Sequence, residues 1–362
     1  MFKDVYRGTR VLVTGHTGFK GSWLCFWLRK LGAELCGVAL PPEGDPNHFS
    51  LLKLDLRSEE CDIRDLAHLE RVFAEFRPEA VFHLAAQPLV RRSYRDPAAT
   101  FASNVQGTVN VLEAARQCAS VRAIVAISSD KCYENRELPR GYREDDPMGG
   151  YDPYSASKGC AELAISCFRR SFFNPAGYGV KHHTLLASGR AGNVLGGGDW
   201  AEDRLVPDLM RAAAAGKAAR LRNPAAIRPW QHVLESLSGY LALGWKLLEG
   251  RREFASGWNF GPIDDDAVTV AEAAAALARE WSDIRVDASP EVDAPHEAKL
   301  LRLDCAKALR ELEWHGVWTP EECFRHTAAW YRDFYRSGRI DTEEDYLSYI
   351  RDAREKGLAW TE

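Results

Sequence analysis

Tyr154 and Lys158 stand four residues apart in Tyr154-Ser155-Ala156-Ser157-Lys158. If the segment is helical, that spacing puts both on one face. A neighbouring ammonium favours the phenolate and lowers a tyrosine pKa that is otherwise about 10. Such a pair can take a hydroxyl proton while a hydride leaves the same carbon, and the lysine can also hold a ribose. The spacing alone is common, since a solvated helix face shows it too; its setting makes it specific. Just upstream runs Ile127-Ser128-Ser129-Asp130-Lys131-Cys132-Tyr133. Ser129 can hydrogen-bond a reacting hydroxyl, and Asp130 with Lys131 is an adjacent acid and base. An ion-paired surface turn is the plain alternative for that pair.

A second signal lies near the start. Thr14-Gly15-His16-Thr17-Gly18-Phe19-Lys20-Gly21 follows an apolar run and opens a helical pattern. Its GxxGxxG spacing is one residue wider than GxGxxG, with the same physics. Glycines permit the tight turn, the close approach of backbone to a pyrophosphate, and the packing of helix on strand. The helix N-terminus then offers its N–H groups to the phosphates. Residues Gly15 to Gly21 are therefore assigned to a dinucleotide; His16 and Lys20 either touch its phosphates or are solvated. Asp62 and Ile63 sit at the entry to a later helix. Asp62 can accept an adenine amino hydrogen while Ile63 covers the ring, and a helix cap is the alternative. An acid at the end of the second strand would favour NAD over NADP. That strand runs into Leu40-Pro41-Pro42 with no basic pair either, so the loop leaves the choice open.

Alternating elements must position these groups. Apolar runs at 11–13, 34–39, 80–85, 122–127 and 181–187 predict strands, and 18–31, 64–76, 97–118 and 153–173 predict helices. This alternation predicts an α/β fold: a Rossmann-type, doubly wound parallel sheet with right-handed crossovers. The second half reads as helices at 205–215, 233–249, 270–281, 305–312, 320–336 and 342–356. Loops such as Gly196-Gly197-Gly198-Asp199 and Gly261-Pro262-Ile263-Asp264 separate them. A smaller helix-rich lobe is expected over the C-terminal edge of the sheet, where open α/β sheets bind ligands. The expected division is 1–187 for the Rossmann domain and 188–362 for the lobe, with a return to the sheet around 229–260.

The 362 residues leave room for roughly two domains. A net charge of −5 gives no global field to hold nucleic acid or an anionic membrane. No apolar run reaches the ~18–20 residues of a membrane helix, and a strand starting near residue 10 leaves no room for a leader. The nine cysteines lie singly, without a CxxC pair. That argues against a zinc cage, any other metal site and a disulfide framework, and predicts a cytoplasmic protein with reduced thiols.

With these motifs in hand, the chain resembles the extended short-chain dehydrogenase/reductases, and among them the nucleotide-sugar 4,6-dehydratases. The carrying segments are VTGHTGFKGSWL (13–24), HLAAQPLVRRSYRDP (83–97), SSDKCYEN (128–135), YDPYSASKGCAE (151–162), RAGNVLGGGDWAEDRLVPD (190–208) and RNPAAIRPWQHVLE (222–235). They span the chain from the first strand to about residue 260. The glycine loop and YxxxK belong to the whole superfamily; SSDK and GGGDW are narrower signals. The resemblance implies NAD as cofactor and a lyase reaction on a nucleotide sugar: oxidation at C4, loss of water across C5 and C6, and hydride return to C6. The dTDP-glucose dehydratases carry Asp-Glu where this sequence has Asp130-Lys131. The acid role therefore maps onto Asp130 and the C5 base onto Lys131, as in the branch acting on CDP-glucose. A lysine serves as a base only with a lowered pKa.

The same resemblance places Leu84, Ala85, Ala86 and Ser128 along the cofactor, with Asn104 supporting the site from its helix. It gives Gln87 and Asn193 to the substrate and makes Arg228 the clamp on its diphosphate, a role that suits a guanidinium fork. Arg204 and Leu205 fall in the loop covering the nucleotide. A homodimer is implied through a four-helix bundle of helices 97–118 and 153–173, with Ala114, Ala115, Ala161 and Ala164 allowing close packing. Two other readings use the same residues. A nucleotide-sugar 4-epimerase needs the Tyr/Lys pair but no elimination pair, so Asp130-Lys131 disfavours it. A non-catalytic NAD-binding regulator would tend to lose Tyr154 and Lys158, and both are present.

Overall fold

The computed structural model describes residues 1–262, 268–287 and 301–362. Ile263 and Asp264 of the loop named above lie outside them. Seven strands form the central sheet: β1 (Arg10–Thr14), β2 (Glu34–Ala39), β3 (Arg57–Glu60), β4 (Ala80–His83), β5 (Ala123–Ile127), β6 (Leu185–Ala191) and β7 (Gly257–Phe260). Their order is β7-β6-β5-β4-β1-β2-β3, and every pairing is parallel. This is the doubly wound arrangement, with its switch point between β1 and β4. All C-terminal strand ends therefore open on one edge, where the segments after β1, β4, β5 and β6 meet.

Both faces of the sheet are covered, which is why the strands read as near-continuous apolar runs. In β1, Val11 and Val13 join the core cluster under helices Phe19–Lys30 and Val233–Leu248. Leu12 joins the opposite cluster, under Leu66–Phe76, Gly107–Gln117 and Pro153–Ser171. Pro153 sits in the first turn of its helix, whose N-cap Asp152 accepts from Ser155 N at 2.9 Å.

Three expectations need correcting. The strand expected at 181–187 is shifted to Leu185–Ala191, and all seven of its residues are buried despite Ser188 and Arg190. Those two polar side chains are satisfied inside by Glu162, so the apolar run marked only part of the strand. The helix expected at 97–118 is continuous but contains a π segment, Ala102–Gln106, between α turns Pro97–Phe101 and Gly107–Gln117. β3 carries no strand signal strong enough to have been anticipated, and β7 falls at the end of the 229–260 segment for which a return to the sheet is expected. Lastly, Ala114, Ala115 and Ala161 are at most 3% exposed and pack within their own chain. Of the four alanines, only the half-buried Ala164 could reach a partner helix. The outward face of these helices instead carries Phe101, Cys160, Leu163 and Cys167.

Beyond β6 the chain forms helices Leu205–Ala214, Val270–Glu280, Ala306–Leu312, Pro320–Ser337 and Thr342–Glu355. The last two pack on helix Phe19–Lys30 through Trp23, Trp27, Trp330, Tyr346 and Tyr349. This aromatic layer supports the turn at 196–199. Trp23 Nε1 donates to Gly197 O at 2.9 Å, the Tyr331 hydroxyl donates to Asp199 O, and the Trp330 ring fills the space a side chain at residue 197 would need.

Candidate active site

A cleft of about 1910 Å3 runs along the C-terminal edge of the sheet. Pockets for one small molecule are typically about 300–1,000 Å3, so this cleft has room for two ligands side by side. Gly15, Thr17, Gly18, Phe19, Lys20 and Gly21 form its floor at one end. Gly15 has φ +76°, and a Cβ there would lie 2.7 Å from Ala85 N. Only glycine lets the turn after β1 sit against the turn after β4. A side chain at residue 21 would strike the Gly15 carbonyl. This cradle, closed by a helix N-terminus, fits a dinucleotide pyrophosphate.

His16 does not belong to the cradle. It is 1% exposed, its Nε2 pairs with Ser58 Oγ at 2.7 Å, and its ring takes the space a Cβ on Gly37 would need. Burial pushes its pKa down to about 4, so it is a neutral packing residue. Lys20 does line the cleft, but it reaches inward to Tyr240 OH, 3.5 Å away, and feels the charges of Arg204, Asp130 and Lys158. Asp62 and Ile63 line the same end. Asp62 is held by Arg64 in a two-pronged pair at 2.5–3.0 Å, which keeps its carboxyl below the usual range.

Leu84, Ala85, Ala86 and Gln87 form the next stretch of wall. A polar relay fixes them. Leu84 N and Ala85 N donate to Thr14 Oγ1 at 3.1 Å, and Thr14 Oγ1 pairs with His83 Nδ1 at 2.7 Å. His83 Nε2 pairs with Thr108 Oγ1, which donates to Asn104 O at 2.7 Å. Asn104 is 1% exposed and does not line the cleft. It accepts from Gln87 N at 2.7 Å and donates to Ser157 Oγ at 2.8 Å, so it ties the wall to helix Pro153–Ser171. The π turn is where this helix presents it, as such irregular turns commonly do at functional sites. The Gln87 side chain is committed to its own loop, through Leu89 O, Leu89 N and Thr100 Oγ1.

Ser128, Ser129, Asp130, Lys131, Tyr154 and Lys158 converge at the centre. Ser129 Oγ donates to Asp130 Oδ1 at 2.9 Å. Asp130 is 3% exposed, and its other carboxylate oxygen has no hydrogen-bond partner among the described residues. Burial raises its pKa, against the pull of Lys131, Ser129 and Arg228. The Lys131 ammonium lies 5.9 Å over the Tyr154 ring. Tyr154 is not pre-ionised: burial pushes it up to about 12, opposed by a hydrogen bond with Ser129 and by Arg204. Lys158, pushed down to about 8 by burial, does not supply the lowering expected from the sequence.

Asn193, Arg204, Leu205 and Arg228 line the cleft as well, with Arg204 close enough to Tyr154 and Arg228 to Asp130 to act on their ionisation. Arg204 is held by Asp199 Oδ2 at 2.8 Å, and Arg228 donates to Ile227 O at 2.9 Å. The family described as GDP-mannose 4,6 dehydratase matches residues 12–327. The chain belongs to that family. CDP-glucose 4,6-dehydratase of Salmonella typhimurium is 51% identical, over 92% of this chain and 93% of that protein. dTDP-glucose 4,6-dehydratase of the same organism is 26% identical, over 89% and 92%. The crystal structure of Thermus thermophilus UDP-glucose 4-epimerase in complex with NAD is 26% identical, with a TM-score of 0.76 over 91% of this chain and 100% of that one.

Several members of this site escaped the sequence reading. Behind Ser128, Glu162 accepts from Ser128 Oγ, Ser188 Oγ and Arg190, which pairs with it at 2.9 and 3.0 Å. Burial opposes the Glu162 charge, but Arg190 and the two serines hold its pKa down to about 2. Glu162 follows Lys158 by one helical turn, which was the available signal. Arg91, Arg92 and Arg95, from the Arg-rich run after β4, line the cleft, as do Glu43, Asp208, Arg220 and Arg222. Acidic and basic side chains alternate along this lining, and many of them pair with one another, as Arg204 does with Asp199 and Arg222 with Asp203 and Asp208.

Proposed function

We propose that this chain converts CDP-D-glucose to CDP-4-keto-6-deoxy-D-glucose and water, with NAD as its cofactor. The observation that carries the reading is the buried Asp130, with one unpartnered carboxylate oxygen, set beside Lys131 and Tyr154 in one cleft. An epimerase has no use for an acid and a base beyond its tyrosine. The glycine cradle holds the cofactor pyrophosphate, Asp62 and Ile63 take the adenine, and Lys158 takes the nicotinamide ribose. Arg228, Arg204 and Asn193 take the sugar diphosphate. NAD, when bound, supplies the hydride acceptor, later its donor, and a cationic ring.

The chain's own groups handle the protons. Tyr154 removes the 4-hydroxyl proton, with Ser129 hydrogen-bonding the same oxygen. A phenol near pKa 12 needs help to ionise, and the Ser129 hydroxyl and the Arg204 charge are the groups that favour its phenolate. The 4-ketone acidifies the C5 hydrogen, which Lys131 removes. Asp130, whose burial favours the protonated form, hands a proton to the C6 oxygen, and water leaves. Ser128 and Glu162 hold the strand end that aims Ser129 and Asp130.

In this reading residues 1–187, with the segment returning around 229–260, hold the cofactor, and the rest of 188–362 holds the nucleotide sugar. Two copies pair through the outward faces of 97–117 and Pro153–Ser171, where Phe101 and Leu163 are 36% and 59% exposed. Light scattering should find a dimer that Leu163→Glu dissociates; a monomeric wild type rejects the pairing. Nine free cysteines suit a cytoplasmic enzyme. The test of function is direct. Purified protein with CDP-glucose and NAD should give a product lighter by one water. A mass-neutral epimer, or no product, rejects the reading.

A further inference from the structure

The outer end of the cleft holds charge that the reaction does not use. Arg204 and Asp208 are four residues apart at the start of helix Leu205–Ala214, so they share a face about one turn apart. Arg204 reaches inward, since it and Tyr154 act on each other's ionisation. Asp208 lies one turn further out on the cleft wall. Its carboxylate pairs with Arg211 and faces Arg222, whose guanidinium is 3.4 Å away and also binds Asp203 at 2.6 Å. A side pocket of about 400 Å3 opens here between Arg91, Asp208, Arg220 and Arg222, which is room for a pyrimidine ring. Outward from the reacting carbon, the order is Asp130 and Tyr154, then Arg204 and Arg228, then Asp208 and Arg222. A nucleoside diphosphate sugar runs in the same order: hexose, diphosphate, nucleoside.

We propose that Asp208 and Arg222 read the cytosine edge, with the Asp208 carboxylate accepting from the exocyclic amino group and Arg222 donating to N3. The assignment rests on the dehydratase reading of the same cleft. Carboxylates can accept from the cytosine amino group, and guanidinium groups donate to ring nitrogens and carbonyls. Uracil and thymine reverse both partners. Their carbonyl oxygen would face the carboxylate, and their N3–H would face the guanidinium. Burial opposes the Asp208 charge, and Arg211 and Arg222 sustain it. One reversed pair of this kind discriminates by about 10–100-fold.

The test compares CDP with UDP by titration calorimetry, and kcat/KM for CDP-glucose with UDP-glucose, in wild type, Asp208→Asn and Arg222→Gln. Wild type should bind CDP at least about tenfold tighter than UDP. Asp208→Asn should bring the two within about threefold, because an amide can turn either a donor or an acceptor to the base. Arg222→Gln leaves Asp208 in place and should weaken CDP more than UDP. A preference for CDP that survives in both variants, or an equal loss of both nucleotides, overturns this inference alone. A wild type with no preference for CDP overturns the substrate reading and this inference with it.

Discussion

Replacing Asp130 by Asn keeps the shape of the side chain and removes its proton. One oxygen still accepts from Ser129 Oγ, now at 2.9 Å, and the unpartnered oxygen becomes an amide NH2. Loss of a general acid slows its step by about 10²–10⁴-fold, a barrier increase of about 3–5 kcal/mol. Oxidation at C4 relies on Tyr154 and Ser129, which are untouched. Asp130→Asn with CDP-glucose and NAD should therefore build up the near-ultraviolet absorbance of reduced cofactor. Release of dehydrated product, followed by mass spectrometry, should fall by the factor above. The fold should survive. An unsatisfied amide in this site destabilises by at most about 1–3 kcal/mol, a shift of several degrees in Tm for a chain of this size. Dehydrated product at the wild-type rate would refute the role of Asp130. Loss of both signals with Tm unchanged would place Asp130 in the oxidation instead.

His16, His48 and His83 are at most 3% exposed, and burial pushes their pKa values down to about 4, 3 and 3. The stability tied to their neutral forms is fully present above about pH 6.5 and is lost progressively as pH falls from there to the folded values. With three protons involved, the slope approaches about 4 kcal/mol per pH unit; a Tm that stays flat from pH 7 to pH 5 would reject it. Glu162→Gln leaves Arg190 buried without its counter-charge and should destabilise by about 3–5 kcal/mol in urea unfolding, whereas a change under about 1 kcal/mol would mean the pair is dispensable. Glu43 lines the cleft, three residues past Leu40 at the end of β2, and pairs with Arg92 at 2.9 Å. Glu43→Gln removes the carboxylate that repels a 2′-phosphate and releases Arg92, so NADP should gain several-fold in affinity relative to NAD; an unchanged ratio by fluorescence titration argues against it.

Legibility in the sequence followed burial and locality. β1, β2, β4 and β5 are apolar runs between turn residues, and each was readable within a residue or two of its ends. β3 reads Arg-Ser-Glu-Glu, because an edge strand with solvent on its outer side needs no apolar signal. β7 takes its place only because the chain crosses the second half of the molecule and comes back. A return to the sheet around 229–260 is expected, but no apolar run marks which residues of it form the strand. The catalytic centre was legible for the same reason as the apolar strands: its groups sit in short segments at strand ends, and order along the chain follows order along the sheet edge. What failed were judgements about side-chain direction. His16 stands in a glycine loop yet turns under the sheet. Gln87 faces the cleft yet spends its amide on its own loop. Asp199 looked like a turn residue and is the anchor of Arg204. Periodicity assigns a residue to a face, but a polar side chain goes where its hydrogen bonds are, whether the partner is 42 residues away, as for His16, or five, as for Asp199.

The late arrival of β7 also bears on how the protein is made. About 65 residues separate β6 from β7. At synthesis rates of about 5–20 residues per second, the β6 edge of a nascent chain waits about 3–13 s for its neighbour. The helix Val233–Leu248, which covers one face of β5 and β6, emerges in that same interval. Until then a row of unpaired backbone groups and an apolar surface lie exposed together on the ribosome. Release of a chain truncated before residue 260 would leave that edge permanently open to pairing with another copy. Expression of such fragments should therefore yield aggregates rather than a smaller soluble cofactor-binding protein.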